Sequence, residues 1–243
     1  MIDFVKQHEQ QQGYDKHPVG MTMQYPVPDQ SKVNDPLFNS AADWVSPGFD
    51  EEVGTAEPGG APPPGRWLTD PPANDGTKVV ITDTDHYSPF KSDALWAWKS
   101  FLRGHNPILY DLGIIDLVNP LDPSLGIPSY ESYEPARHAM GDTLRFAERM
   151  KLTEMEPRGD LSSTRYALAD PGKEYLVLEP SETANSFTLT LAAGTYAVQW
   201  YSVNSRETVG AGKVTVESST TISFSAPFEA AGPAVLYLKK VER

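Results

Sequence analysis

Two rhythms of apolar and polar residues divide the chain near residue 151. Ahead of that point, short apolar runs alternate with longer amphipathic stretches. Residues 1–12 (MIDFVKQHEQQQ) set Ile2, Phe4 and Val5 on one side of a helix, and Gly13 stands where a left-handed cap would end it. Residues 18–25 (PVGMTMQY) and 43–46 (DWVS) predict short strands, the second stopped by Pro47 and Gly48. A connection of some thirty residues follows, holding GTAEPGGAPPPG; it shows no helical period, and Pro62, Pro63 and Pro64 favour an extended polyproline form. The β-branched run 78–83 (KVVITD) predicts the clearest strand. Asp93 then caps a helix, LWAWKSFLRG, closed by Gly104. Residues 106–111 (NPILYD) predict a further strand, and a proline-rich connection leads to a long helix with Pro135 in its first turn.

Beyond residue 163 the period becomes two. RYALA, EYLVLE, SFTLTL, TYAVQWYSV, GKVTVES, TTISFSA and AVLYLKKV follow one another, separated by turn signals such as Asp170-Pro171-Gly172 and Ala193-Gly194. Alternation with turns at this spacing predicts an antiparallel β-sandwich with Trp200, Phe187, Phe224 and Leu236 in its core. Residues 152–162 read as a linker between a βα-type domain, 1–151, and the sandwich, 163–243. The fold class is therefore α/β plus all-β.

Composition narrows what such a chain can do. A net charge of −13 lacks the basic footprint of a nucleic-acid binder and would be repelled by anionic membrane surfaces. No run approaches the length of a spanning helix, and the first residues lack the basic and apolar regions of a signal peptide. With no cysteine, disulfides and thiolate chemistry are excluded. Neutral sugars stay compatible, because carboxylates and aromatic faces recognise them.

The sharpest chemical signal is Asp83, Asp85 and His86, at the C-terminal end of the strand 78–83. Glycoside hydrolysis needs two carboxylates, one to protonate the leaving oxygen and one to attack or to activate water. Asp85 stands clear of the strand as the reacting group, Asp83 orients it, and His86 can keep a carboxylate ionised through a hydrogen bond. The ordinary reading of such residues is that they cap the next loop. Two carboxylates without further ligands are too few for a metal site, so neither metal nor cofactor is expected. Trp44, Trp67 and Tyr87 are candidate platforms for a sugar ring, with Gln24 and Tyr25 at the end of the first strand also facing the cleft. Trp96 and Trp98 lie on a helix and read as core. Arg158-Gly159-Asp160 matches an integrin-ligand tripeptide, a match that chance readily supplies.

The segments HPVGMT (17–22), ADWVSPG (42–48), VVITDTDH (79–86), WKSFLRGHNPI (98–108) and ARHAMGDTLRFAERM (136–150) resemble the apiosidase-like glycoside hydrolases. YALADPGKEYLV (166–177), GTYAVQWYSV (194–203) and GPAVLYLKK (232–240) resemble the collagen-binding-type sandwich that follows that family's barrel. The resemblance implies the C-terminal half of a (β/α)8 TIM barrel followed by the sandwich. The four strands become barrel strands five to eight, and Asp83 ends the seventh, where retaining barrel glycosidases carry the nucleophile. The acid/base partner belongs after the fourth strand, which this chain does not contain. The implied function is that of a glycoside hydrolase fragment acting on complex polysaccharides, from a secreted or periplasmic parent. The alternative is a non-catalytic protein that binds glycan or matrix protein through its sandwich. A half barrel also leaves open edges at 18–24 and 107–110, which predict self-association of the whole chain and better behaviour of residues 163–243 alone.

Overall fold

The computed structural model describes residues 1–22, 34–48, 66–84, 93–118, 129–183, 186–230 and 232–241. The chain forms two compact units, Met1–Lys91 with His105–Pro128, and Ser92–Gly104 with Ser129–Arg243.

The first unit is built on a parallel sheet of four strands in sequential order: β1 (Gly20–Thr22), β2 (Trp44–Ser46), β3 (Val79–Asp83) and β4 (Asn106–Ile108). Gly20 is registered with Trp44, Trp44 with Val79, Ile81 with Asn106, and Asp83 with Ile108. Alternation along the strands then sorts the side chains onto two faces. Val45 and Val80, on one face, are 0% and 2% exposed, whereas Val79 and Ile108, on the other, are 52% and 46% exposed. Parallel sheets ordinarily bury both faces. Here one is open, and among the described residues β1 and β4 each pair with a single neighbour.

Three helices of this unit depart from the reading of the sequence. The helix Ile2–Gln12 ends at Gly13 in the left-handed conformation, φ 69°, as its cap signal predicts. It buries no residue, however, and Phe4 stays 69% exposed. Polar contacts tether it instead: the Lys6 Nζ donates to Asp43 at 2.6 Å and to the Ala41 carbonyl at 2.8 Å, and the same Asp43 carboxylate accepts the Val19 N–H at 2.8 Å. Arg66–Thr69 is a single helical turn inside the connection that showed no helical period, and Leu112–Val118 is a helix where a proline-rich connection was expected. Seven residues are too few for a periodic signal, and Ile114, Leu117 and Val118 are exposed.

The second unit holds two antiparallel sheets. One has six strands, in the order Thr208–Val216, Gly194–Ser202, Ala234–Lys240, Glu174–Glu179, Ala167–Asp170 and Glu156–Pro157; the other pairs Thr220–Ser225 with Ser186–Leu191. Their inner faces share one core, in which Trp200, Phe187, Phe224 and Leu236 are all buried. The turn at Asp170-Pro171-Gly172 closes with the Lys173 N–H on the Asp170 carbonyl at 2.9 Å, and Gly172 takes a φ of 90° that few other residues tolerate.

This unit also takes in the helices Ala94–Leu102 and Glu134–Arg149, which the sequence reading placed with the parallel strands, and residues 156–157, which it placed in a linker. Aromatic packing explains the grouping. Trp98 lies 5.4 Å from Phe146 and 5.8 Å from Tyr201, and Phe146 reaches Tyr237 at 6.0 Å. Residues 163–243 alone would therefore leave Tyr201 and Tyr237 without the ring that covers them.

A buried carboxylate reinforces the same junction. Asp142 is 2% exposed; it accepts hydrogen bonds from the Tyr201 hydroxyl and from Arg206 at 3.0 and 3.2 Å, and it pairs with Arg145. Burying a charge is tolerated because these partners replace its water. Asp142→Asn should lower the unfolding free energy by about 1.5–3 kcal/mol, the worth of a hydrogen bond to a charged group. Denaturant unfolding measures it, and an unchanged midpoint would show that the ion cluster carries no stability.

Candidate functional site

The C-terminal ends of parallel strands converge on one end of a sheet, which is where βα-folds collect chemistry. Asp83 is the last residue of β3. Its alternation with Val79 and Ile81 puts it on the open face, partly exposed, across from Ile108 of β4. The next residue, Thr84, is fully buried, and its Oγ1 accepts the Tyr110 N–H at 2.8 Å. That bond ties the chain leaving β3 to the chain leaving β4, so the Asp83 backbone is held between a paired strand and an anchored turn. Asn106 lies on the same face, registered with Ile81, and its side-chain amide donates to the Val80 carbonyl at 3.2 Å. Neither Asn106 nor Ile108 was singled out from the sequence; only the β3–β4 register places them beside the acidic strand end.

Asp85, His86, Tyr87, Gln24 and Tyr25 lie outside the described residues. The two candidate tryptophans do not join Asp83. Trp44 opens β2, level with Val79 and hence four residues, about 13 Å, below Asp83 along the strand direction. Its indole occupies the space above Gly20, where any Cβ would run into the ring. Trp67 is 3% exposed, stacked on Phe38 at 5.8 Å and tilted against His105 at 5.6 Å. The expected loop platform is thus a packing residue in this structure: its faces are occupied by protein rings rather than open to a sugar.

The other candidates have local explanations. Trp96 and Trp98 are buried. Arg158 spends its guanidinium on Asp160 in a bidentate pair at 2.8 and 2.7 Å, so the tripeptide's two charges face each other. Among the described residues no group of three or more His, Cys, Asp or Glu is placed to hold a metal ion.

No protein-family model and no curated protein matches this sequence. Solved structures do resemble it. One described as a glycoside hydrolase superposes over 88% of this chain and 55% of its own, with a TM-score of 0.56 and 12% identity. A glycoside hydrolase family 5 protein from Bacteroides vulgatus ATCC 8482 superposes over 72% of this chain and 45% of its own, with a TM-score of 0.50 and 14% identity. The chain spans about half the length of these structures, and what it shares with them is a mixed α/β fold combining a parallel sheet with antiparallel sheets.

Proposed function

We propose that this chain carries one half of the carboxylate pair of a glycoside hydrolase. The observation that supports this most is the position of Asp83: it ends the third of four sequential parallel strands, on the open face, in a fold shared with solved glycoside hydrolases. In this reading the four strands are the second half of a (β/α)8 barrel and β3 is its seventh strand. Asp85 is the reacting carboxylate, with Asp83 orienting it and His86 and Tyr87 flanking the sugar. Its partner would stand about 5–5.5 Å away in a retaining enzyme, or about 6.5–9.5 Å in an inverting one. The apiosidase-like resemblance assigns the substrate to side chains of complex polysaccharides and the parent enzyme to a secreted or periplasmic setting. It also casts the antiparallel sheets as a collagen-binding-type sandwich.

A second reading draws on the separate core of the antiparallel sheets: a non-catalytic protein that holds glycan or matrix protein through the second unit. Soluble sugar release from polysaccharides by this chain joined to four preceding βα units supports the first reading. Retention on insoluble polysaccharide or collagen, with no sugar released, supports the second.

The open face also bears on association. Val79, Ile108, Ile114 and Val118 expose apolar surface, and β1 and β4 each have one edge without a partner among the described residues, a combination that invites pairing between chains. We expect the whole chain to sediment as dimers or larger species, and a monodisperse monomer would count against this.

A further inference from the structure

We propose that a cavity of about 440 Å³ in the second unit, bordered by Glu131, Glu134, His138, Asn204 and Arg206, binds a neutral sugar residue. Its volume lies within the range of small-ligand sites, about 300–1,000 Å³. Pro135 and Val203 supply apolar lining that suits the C–H face of a pyranose ring, and the polar groups around it offer both donors and acceptors. A sugar hydroxyl does both, so a mixed rim satisfies it where a rim of one kind would not.

The rim is held in place before any ligand arrives. Arg206 sits in the left-handed region at φ 58°, and its Nε and Nη2 are fixed on the buried Asp142 carboxylate at 3.2 and 3.0 Å. Nη1 makes no bond among the described residues, so a pre-oriented donor remains. The Asn204 side chain is equally uncommitted, apart from a long 3.5 Å contact with Glu182. The His138 ring stands 3.7 Å from the Glu134 carboxylate, near enough to share one hydroxyl with it. Glu131 is held below the usual carboxylate range by its own N–H and by the Ser129 hydroxyl, which keeps it an ionised acceptor. Two carboxylates on the rim repel an acidic sugar, and the Arg206 donor suits a hydroxyl, which can accept from it, over an ammonium, which cannot.

The sugar class rests on the glycoside hydrolase reading; the cavity and its rim do not. The test titrates the full chain with xylotriose, cellotriose, trigalacturonate and a glucosamine trimer, and follows amide signals by NMR. We expect a neutral trimer to give saturable shifts at residues 131–138 and 203–206. Asn204→Ala and Glu134→Gln should each weaken binding about fivefold, the worth of one hydrogen bond. Both residues are exposed, so folding should survive, and an unchanged melting curve verifies it. Absence of cavity shifts at roughly tenfold above a millimolar Kd overturns the proposal; so does preference for the acidic or the cationic trimer, or insensitivity to both substitutions. Shifts confined to residues 83–87 would leave the hydrolase reading standing without this site. Cavity shifts in a chain joined to four preceding βα units, whose turnover is unchanged by Asp83→Asn and Asp85→Asn, would do the reverse.

Discussion

Trp200→Ala should cost the second unit about 3–5 kcal/mol of unfolding free energy, the range for emptying a buried tryptophan site. Trp200 lies on the strand Gly194–Ser202 and is 2% exposed. It is registered with Leu236 on one side and Val209 on the other, and Phe187 of the two-stranded sheet meets its ring edge-on at 6.0 Å. Phe187 in turn stacks on Phe224 at 6.2 Å. The indole therefore bridges the two antiparallel sheets. Domains are stable by only about 5–15 kcal/mol, so the loss would take a large share of the total. Denaturant unfolding followed by far-UV circular dichroism measures it; a change below about 1 kcal/mol would mean that the sheets do not depend on this core.

Some of this was legible in the sequence, and the reason is locality. The runs EYLVLE and SFTLTL became the strands Glu174–Glu179 and Ser186–Leu191, because strand signals reside in neighbouring residues; Ser186–Leu191 buries alternate positions, whereas Glu174–Glu179 is buried at every one. Gly13 and Asp93 marked helix ends for the same reason, each acting on backbone groups within a turn or so of itself. What the sequence did not show depends on distant partners. Trp67 looked like a loop platform, yet it is buried against Phe38 and His105, 29 and 38 residues away by their numbering. Asp142 looked like an ordinary helix residue, yet it pairs with Arg206, 64 residues on, and helps group the helix with the antiparallel sheets. The strand-end position of Asp83 was legible from the run KVVITD; its neighbours across β4 were not, because register follows from pairing rather than from either strand alone.

Asp83→Asn should have the largest effect of all, and it bears on function rather than on stability. Asparagine preserves the shape of the side chain, and Asp83 lies partly exposed at a strand end, so the fold should survive the change. On the proposed reading, the charge that orients the reacting carboxylate would be gone. In a barrel glycosidase a missing carboxylate removes either the nucleophile or the group that holds it, and a loss of 10³-fold or more in kcat, about 4 kcal/mol, is the expected order. KM should change little, because the sugar is held by other groups. The Asp85→Asn variant should behave alike if the two carboxylates act as one unit.

The most direct measurement is glycosidic bond cleavage by this chain joined to a preceding segment of four βα units, compared among wild type, Asp83→Asn and Asp85→Asn. The account predicts turnover of polysaccharide side chains by the wild type, and loss of that turnover in both variants with sugar binding retained. Near-normal turnover in both variants would contradict it, and would make the acidic strand end a structural feature of the fold.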